Sequence, residues 1–220
     1  MHNYQLIRNH YVVTIDGCQY LIDTGSPVSM NQSGSIIIDG KTFSTHRISD
    51  SMLAPMSELV GVSVDGLIGL DILRKTSLTI YKDRRIDFGL SPIGGVEAPF
   101  ADLSGGYIRL PCTLEDGRKA VALIDTGAMI YYGDYSGFFA PKDFVGEFDD
   151  YNPTLGKMRS RFYTQTIEVA GRTITVPVGD NAGAVSLALK ALKAAVIMNI
   201  TELFDEVFAF DFVNCRVILK

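Results

Sequence analysis

The chain has 220 residues, of which 47% are hydrophobic and 20% are charged, a balance typical of a soluble globular protein with an ample core. Its net charge of −5 gives no electrostatic case for binding nucleic acid or an anionic membrane surface. Three widely spaced cysteines, an odd number, favour free thiols in a reducing compartment over a disulfide framework.

Targeting signals are not recognisable in the sequence. The first ten residues, MHNYQLIRNH, lack the charged-then-apolar pattern of a signal peptide, and no apolar run reaches the length of a membrane span. The longest candidate, AGAVSLALKALKAAVIM, is interrupted by Lys190 and Lys193, and its composition predicts a core-packing helix instead. We therefore expect a cytoplasmic protein with no membrane partner.

The first predicted elements form a hairpin that leads into the sequence LIDTG at 21–25. Two β-rich runs flank an Asp-Gly pair at 16–17, which is a strong hairpin signal because both central turn residues need positive φ. Further along, SIIIDGKTFSTHRI predicts a second hairpin that turns at Gly40. The run DGLIGLDIL predicts an apolar strand followed by a helix cap at Asp71.

The same order of elements returns after a linker at 89–107 that is rich in Gly, Pro and Ser. The run YIRLPCTLEDGRKAVALIDTG repeats the hairpin and delivers LIDTG again at 123–127. A later hairpin turns at Gly171, and AAVIMNITEL predicts a strand capped by Asn199. A short helix should follow, because Glu202 completes a capping-box pattern. We interpret this self-similarity as an internal duplication of one small β-unit.

The two Asp-Thr-Gly units resemble the pepsin and retropepsin superfamily of aspartic peptidases. LIDTGS and LIGLDIL are close matches, the latter especially to the retropepsin form, and the resemblance covers nearly the whole chain. It implies a mainly β fold of two pseudo-symmetric retropepsin-like (acid protease) β-barrel lobes with short helices, at 1–95 and 96–220. Because one chain would carry both lobes, a monomer with an internal pseudo-dimer is expected.

The resemblance also implies an aspartic endopeptidase in which Asp23 and Asp125 share one proton and activate a water that hydrolyses a peptide bond. The substrate is then a peptide or protein, and no metal or other cofactor is required. The supporting loop residues implied by the resemblance are Thr24, Gly25, Ser26, Thr126, Gly127 and Ala128. The two glycines are expected to permit a sharp turn, and the two threonines to interlock the loops through hydroxyl-to-backbone hydrogen bonds.

The second half carries an insertion after its Asp-Thr-Gly, and turn residues at its centre predict a long hairpin. We interpret 144–163 as a flap that closes over the dyad and binds an extended peptide. The expected substrate-binding residues at its tip are Tyr151, Asn152, Pro153, Thr154, Leu155 and Gly156. The alternative is an ordinary surface loop with a solvated charge run at 147–150.

Two differences between the halves lead to further hypotheses. Ser26 follows the first Asp-Thr-Gly, and its hydroxyl is expected to donate to Asp23 and make it the more acidic carboxyl, unless it only satisfies backbone groups. The glycine of LIGLD, Gly69, is aligned with Ile197. A branched side chain there favours the alternative function, a catalytically inactive retropepsin-fold protein that binds peptides or acts as a scaffold.

Other chemistries have little support in the sequence. His2, His10 and His46 form no cluster with metal-ligand spacing, and no Cys-x-x-Cys pair occurs. The sequence also contains no phosphate-binding loop or dinucleotide fingerprint.

Overall fold

A computed structural model describes residues 1–91, 93–102, 107–152, 156–180 and 183–220. Within these residues the protein is mainly β. The first half of the chain contains β1 (His2–Ile7), β2 (His10–Ile15), β3 (Cys18–Ile22), β4 (Met30–Asn31), β5 (Ser35–Ile38), β6 (Lys41–Ser44), β7 (His46–Arg47), α1 (Asp50–Val60), β8 (Gly66–Ile68), α2 (Leu70–Thr76), β9 (Leu78–Tyr81) and β10 (Arg85–Asp87).

The predicted linker contains two short strands, and the repeat of the hairpin follows them. The second half contains β11 (Val96–Pro99), β12 (Ala101–Asp102), β13 (Ile108–Leu114), β14 (Lys119–Ile124), β15 (Tyr131–Gly133), β16 (Phe144–Asn152), β17 (Gly156–Val169), β18 (Arg172–Asp180), α3 (Ala184–Ala191), β19 (Val196–Met198), β20 (Val207–Asp211) and β21 (Arg216–Leu219).

The predicted hairpins are confirmed, and local turn chemistry explains them. Asp16 and Gly17 both adopt positive φ, at 48° and 82°, in the turn between β2 and β3. The turns at Gly40 and Gly171 have the same form, because the residue before each glycine is also left-handed. The β13–β14 turn is longer, and there only Gly117 has positive φ.

The strands form two large sheets and one small hairpin sheet. The larger sheet has the order β11-β21-β20-β9-β10-β1-β2-β3-β8-β4-β7, the second has the order β12-β13-β14-β19-β15-β18-β17-β16, and β5 pairs with β6. Because β13 also pairs with β17, the second sheet closes on itself. The C-terminal β20 pairs with β9, so strands from both halves of the chain share the larger sheet.

The strand pairing around the two LIDTG segments is the same in both halves. β3 pairs in parallel with β8, which runs antiparallel to β4, and β14 and β19 relate to β15 in the same way. The register places Ile22 opposite Ile68 and Ile124 opposite Met198. The residue after each partner strand is therefore Gly69 in one half and Asn199 in the other.

This register corrects the sequence alignment of Gly69 with Ile197. Ile197 lies opposite Leu123 within β19, and its counterpart in the first half is Leu67, opposite Leu21. The side chain of Ile197 packs, partly buried, against an apolar cluster that includes Leu123. It does not occupy the position of the loop glycine, so the argument for impaired function from Ile197 was wrong.

The helices were predicted less well than the hairpins. The apolar segment around Lys190 forms α3, as expected. The N-cap of α2 is Gly69 and not Asp71, and residues 200–203 form turns where a short helix was expected. α1 was not predicted; it buries Leu53, Met56 and Val60.

The main core cluster contains apolar residues from both halves, including Ile22, Ile68, Ile124 and Met198 next to the LIDTG loops. All three cysteines are free thiols. Within the part of the chain that the structure describes, no helix is both long and apolar enough to cross a membrane.

Candidate active site

The two LIDTG loops meet through reciprocal hydrogen bonds between their threonines. The N–H of Thr24 donates to Oγ1 of Thr126 at 3.0 Å, and the N–H of Thr126 donates to Oγ1 of Thr24 at 3.0 Å. Each hydroxyl donates in turn to the opposite strand, Thr24 to the carbonyl of Ile124 at 3.1 Å and Thr126 to that of Ile22 at 2.8 Å. Both side chains are fully buried, so these four bonds fix the loops to each other.

A backbone hydrogen bond to the neighbouring strand fixes the position of each aspartate at the end of its own strand. The N–H of Asp23 donates to the carbonyl of Ile68 at 3.0 Å, and that of Asp125 donates to Met198 at 2.9 Å. Each aspartate is therefore the first residue beyond a parallel strand pair, where its side chain is free to leave the sheet.

Each loop glycine lies against the carboxyl group of the opposite loop. A Cβ atom on Gly127 would stand 2.6 Å from Cγ of Asp23, and one on Gly25 would overlap the carboxyl of Asp125. Neither glycine has positive φ. The loops do turn at these glycines, where the N–H groups of Ser26 and Ala128 donate to the carbonyls of Asp23 and Asp125. The turn does not itself require glycine; glycine is required because any side chain would occupy the space of the other carboxyl.

Backbone N–H groups hold both carboxyls. Oδ1 of Asp23 accepts from the N–H groups of Gly25 at 2.9 Å and Ser26 at 3.0 Å. Oδ1 of Asp125 accepts from Gly127 at 2.8 Å, and the N–H of Ala128 donates to the backbone carbonyl of Asp125 at 3.2 Å. These bonds orient the two carboxyls with little rotational freedom.

The hydroxyl of Ser26 does not contact Asp23. It donates to the carbonyl of Val28 at 2.8 Å, two residues along its own loop. The expectation that this hydroxyl makes Asp23 more acidic was wrong, because a local backbone acceptor competes successfully for it. Ser26 favours the charged form of Asp23 through its backbone N–H instead.

The two carboxyls interact directly, and their protonation is asymmetric. Burial raises the pKa of Asp23, while the N–H of Gly25, a hydrogen bond from Asp125 and the N–H of Ser26 oppose that rise. Burial also raises the pKa of Asp125, and the negative charge of Asp23 raises it further. The pair thus favours an ionised Asp23 that accepts a hydrogen bond from a protonated Asp125.

Asp23 and Asp125 are largely surrounded by protein but are not fully buried. Dense protein surrounds them, which accounts for the raised pKa values, yet both residues keep a partly accessible surface. The surface at Asp23 and Asp125 is therefore partly open to a small polar molecule. Among the described residues, no three His, Cys, Asp or Glu side chains are grouped so as to hold a metal ion.

Tyr107 lies within electrostatic reach of the two carboxyls and was not predicted. Burial raises the pKa of its hydroxyl, and the charges of Asp125 and Asp23 raise it further. Its ring packs, partly buried, against the cluster that contains Leu123. The sequence carries no signal for this contact, because Tyr107 precedes β13 by one residue and reaches the site only through the β13–β14 hairpin.

The predicted flap segment forms the long hairpin of β16 and β17. Tip residues Pro153, Thr154 and Leu155 lie outside the described residues. Tyr151, Asn152 and Gly156 have a described backbone, and Tyr151 pairs with Lys157 while Asn152 pairs with Gly156. The hairpin itself is thus present, and the substrate-binding role of its tip stays a prediction.

One face of this hairpin carries a partly exposed aromatic side chain. Phe148 pairs with Ser160, and on the same face Ser160 and Phe162 are 2% and 1% exposed, whereas Phe148 is 50% exposed. The opposite face carries Glu147, which forms ion pairs with Arg159 and Arg161. The ring of Phe148 stands edge-on to that of Phe162, at 5.1 Å between centroids.

Packing links the face with Phe148 to the strand that precedes Asp125. Phe162 belongs to the cluster that contains Leu123, and Tyr107 packs against the same cluster. Leu123 lies in β14, two residues before Asp125 in the chain. The hairpin face and Tyr107 are therefore both linked to β14.

A separate cavity of about 690 Å³ lies between the β9–β10 hairpin and the C-terminal strand. Two ion pairs lie in its lining, Asp83 with Arg85 at 2.6 Å and Glu206 with Lys220 at 2.8 Å. None of its lining residues belongs to the LIDTG loops. We place the candidate active site at Asp23 and Asp125, where two carboxyl groups meet, and not at this cavity.

No protein-family model and no curated protein matches the chain. Among solved structures the chain is similar to the protease of simian foamy virus (mac), with 18% sequence identity and a TM-score of 0.32; the match covers 43% of this chain and 90% of the viral chain.

Proposed function

We propose that this protein is an aspartic endopeptidase in which Asp23 and Asp125 activate a water for attack on a peptide bond. The observation that carries the proposal is the meeting of the two LIDTG loops, where the carboxyl of each aspartate lies against the glycine of the opposite loop and burial raises the pKa of both carboxyls. Sharing one proton is what general acid–base catalysis by two carboxyl groups requires. The two halves of the chain would form two lobes, 1–95 and 96–220, with the carboxyl pair at their junction.

The first step of the mechanism uses both protonation states. The ionised Asp23 removes a proton from water, and the resulting hydroxide forms a bond to the carbonyl carbon of the substrate. The protonated Asp125 gives its proton to the carbonyl oxygen, and the product is a neutral tetrahedral gem-diol. The backbone N–H groups of Gly25 and Ser26 hold Asp23 in place during this transfer.

The second step reverses the roles. Asp23, now protonated, donates its proton to the nitrogen of the leaving amine as the C–N bond breaks. Asp125 takes the proton of a gem-diol hydroxyl, and the carbonyl of the new carboxylic acid forms. Both carboxyls regain their starting states, so the cycle needs no covalent enzyme intermediate.

The β16–β17 hairpin is proposed as the single flap. Support comes from Phe148, a half-exposed aromatic side chain whose ring contacts Phe162, a member of the apolar cluster that contains Leu123 of β14. A hairpin in this place would exclude water and bind an extended peptide through its main chain, with Tyr151, Asn152, Pro153, Thr154, Leu155 and Gly156 at its tip.

The experiment is cleavage of a denatured protein and of a peptide library by the purified chain, read by mass spectrometry between pH 3 and pH 8. We expect internal cleavage by the native chain and none by Asp23→Asn or Asp125→Asn, both tested at a temperature where each variant is folded. Binding of peptides without cleavage, unchanged by either substitution, would support the peptide-binding alternative. Cleavage that both variants retain would exclude the carboxyl pair as its source.

A further inference from the structure

The two LIDTG loops are supported in different ways. In the first half, a Cβ on Gly69 would stand 2.6 Å from the carbonyl oxygen of Val28 and 2.8 Å from that of Ser26, so no side chain fits there. In the second half the same structural position holds Asn199, whose side chain is completely buried. The loop around Asp125 therefore rests on a polar side chain that the other loop lacks.

The amide of Asn199 binds the second loop and the first half of the chain at once. Its Nδ2 donates to the carbonyls of Thr126 at 3.2 Å, Ala128 at 2.9 Å and Asn9 at 2.9 Å. Its Oδ1 accepts from the N–H of Ile200 at 2.7 Å and from Thr201, so the amide is itself held in one orientation. A buried, fully bonded amide of this kind is rigid.

Asn9 completes the connection from the other side. It lies in the two-residue turn between β1 and β2, with φ at 65°, a conformation that asparagine tolerates better than most residues. Its Nδ2 donates to the carbonyl of Met129 at 2.9 Å, four residues after Asp125. Asn9 and Asn199 thus hold the segment 126–129 by three carbonyl groups.

Among the described residues, no side chain of the second half supports the first loop in this way. There Oδ1 of Asp71 accepts from the N–H of Ser29 at 2.8 Å, and the Ser29 hydroxyl accepts from the N–H of Gly69 at 2.8 Å. All three residues belong to the same half of the chain. Apart from the threonine hydrogen bonds that the two loops share, the hydrogen bonds that hold the Asp125 loop extend to Asn9 in the first half. Those that hold the Asp23 loop come from residues of its own half.

We propose that Asn9 and Asn199 are positioning residues that set the place of Asp125 relative to Asp23. The inference rests on the proposed function for its catalytic consequence, but the placement of the loop can be measured without turnover. The β1–β2 turn then acts as a support for the second loop. Relative movement of the two halves would change the geometry of the carboxyl pair through these hydrogen bonds.

The test uses Asn9→Gly and Asn9→Asp, because both substitutions are compatible with the left-handed turn. Glycine removes the side chain, and aspartate keeps its shape but replaces the Nδ2 donor with an oxygen that repels the carbonyl of Met129. Asp16→Gly is the matched control, since Asp16 occupies the left-handed position of the exposed β2–β3 turn.

We expect both Asn9 variants to lower kcat about tenfold with KM unchanged within about twofold, because the dyad loses alignment while the substrate surface is intact. The melting temperatures of Asn9→Gly and Asp16→Gly should agree within about 3 °C, and Asp16→Gly should keep native kcat. Asn9 variants with native kcat would overturn the catalytic part of the inference.

The amide resonances of Gly127 and Ala128, followed by NMR, report the conformation of the second LIDTG loop, and this measurement does not depend on catalysis. In both Asn9 variants they should shift and exchange faster with solvent, and more so than those of Gly25 and Ser26. If the native chain cleaves nothing but these amides respond, the proposed function fails and the positioning role stands. If the amides of both loops respond equally or not at all, the positioning role is overturned whatever the activity.

Discussion

The carboxyl group of Asp23 lies in contact with Gly127 of the opposite loop, where a Cβ atom would approach Cγ to 2.6 Å. The reciprocal contact joins the carboxyl of Asp125 to Gly25. Neither glycine has positive φ, so the backbone conformation does not require glycine at these positions. Glycine is needed because the two loops lie so close together. Any atom added at these glycines must displace a carboxyl.

This contact makes Gly127→Ala a test of how accurately the carboxyls must be placed. The added methyl group should push Asp23 away from Asp125 and lower kcat/KM about a hundredfold or more, as small misplacements of catalytic groups do. Gly89→Ala is the control, because a Cβ there meets nothing within 4 Å and φ is ordinary. Near-native activity of Gly127→Ala would mean that the two carboxyls do not act together.

Asp125→Asn should change the pH dependence of stability as well as abolish cleavage. Because the pKa of Asp125 is raised in the folded state, the carboxyl favours folding while protonated, below its unfolded pKa. That contribution is lost as pH rises through the folded pKa. Asparagine stays neutral, so the variant should melt about 3 °C above the native chain at pH 8 and together with it at pH 3.

Thermal unfolding followed by circular dichroism from pH 3 to pH 8 measures this difference. Asp16→Asn, at an exposed turn, controls for the loss of one negative charge. A melting difference between Asp125→Asn and the native chain that stays constant with pH would contradict the assignment of the raised pKa.

The threonine hydrogen bonds should contribute measurably to stability. Thr126→Val keeps the side-chain shape but leaves the buried N–H of Thr24 and the carbonyl of Ile22 without this partner. We expect a loss of about 2 kcal/mol in the free energy of unfolding, measured by urea denaturation. Thr42→Val, on the exposed strand β6, should change it by less than about 0.5 kcal/mol. Equal effects at both positions would show that the loops do not depend on this bond.

Local features of the sequence predicted the hairpins and the two LIDTG loops. The turns at Gly17, Gly40 and Gly171 depend on neighbouring residues alone, so their sequence signals were sufficient. α1 was missed because it contains Pro55, and a proline inside a run of residues argues against a helix.

Long-range relationships were not predictable from a single sequence. Gly69 was aligned with Ile197 because apolar runs look alike when shifted by two residues, and only the pairing of β14 with β19 shows that Asn199 is the equivalent residue. The contact between Asn9 and Asn199, and the approach of Tyr107 to the carboxyls, join residues far apart in the chain. Strand register decides such contacts, and hydrophobic patterns do not encode it.

Tyr107→Phe tests whether the hydroxyl beside the carboxyl pair takes part in the reaction. The ring packing stays, whereas the hydroxyl that senses the charges of Asp125 and Asp23 is removed. We expect kcat/KM to fall about tenfold, the size of one hydrogen bond to a charged group or reacting atom, with the melting temperature unchanged. Tyr163→Phe is the control, because Tyr163 lies on the opposite face of β17 from Phe162 and its ring packs against Tyr135 and Phe144. Equal kcat/KM for native protein and Tyr107→Phe would assign Tyr107 a packing role only.

Phe148→Ser tests the β16–β17 hairpin as a substrate-binding flap. Phe148 is half exposed and contacts Phe162, which shares an apolar cluster with Tyr107, so a peptide bound there would bury the rest of the Phe148 ring. Losing that burial, worth about 1 kcal/mol, should raise KM about fivefold and leave kcat nearly unchanged. The control is Phe144→Ser: Phe144 is 60% exposed on the same strand but pairs with Tyr163, on the opposite face. A rise in KM in Phe144→Ser and not in Phe148→Ser would mean that the other face of the hairpin meets the substrate; no rise in either would remove the flap from the binding site.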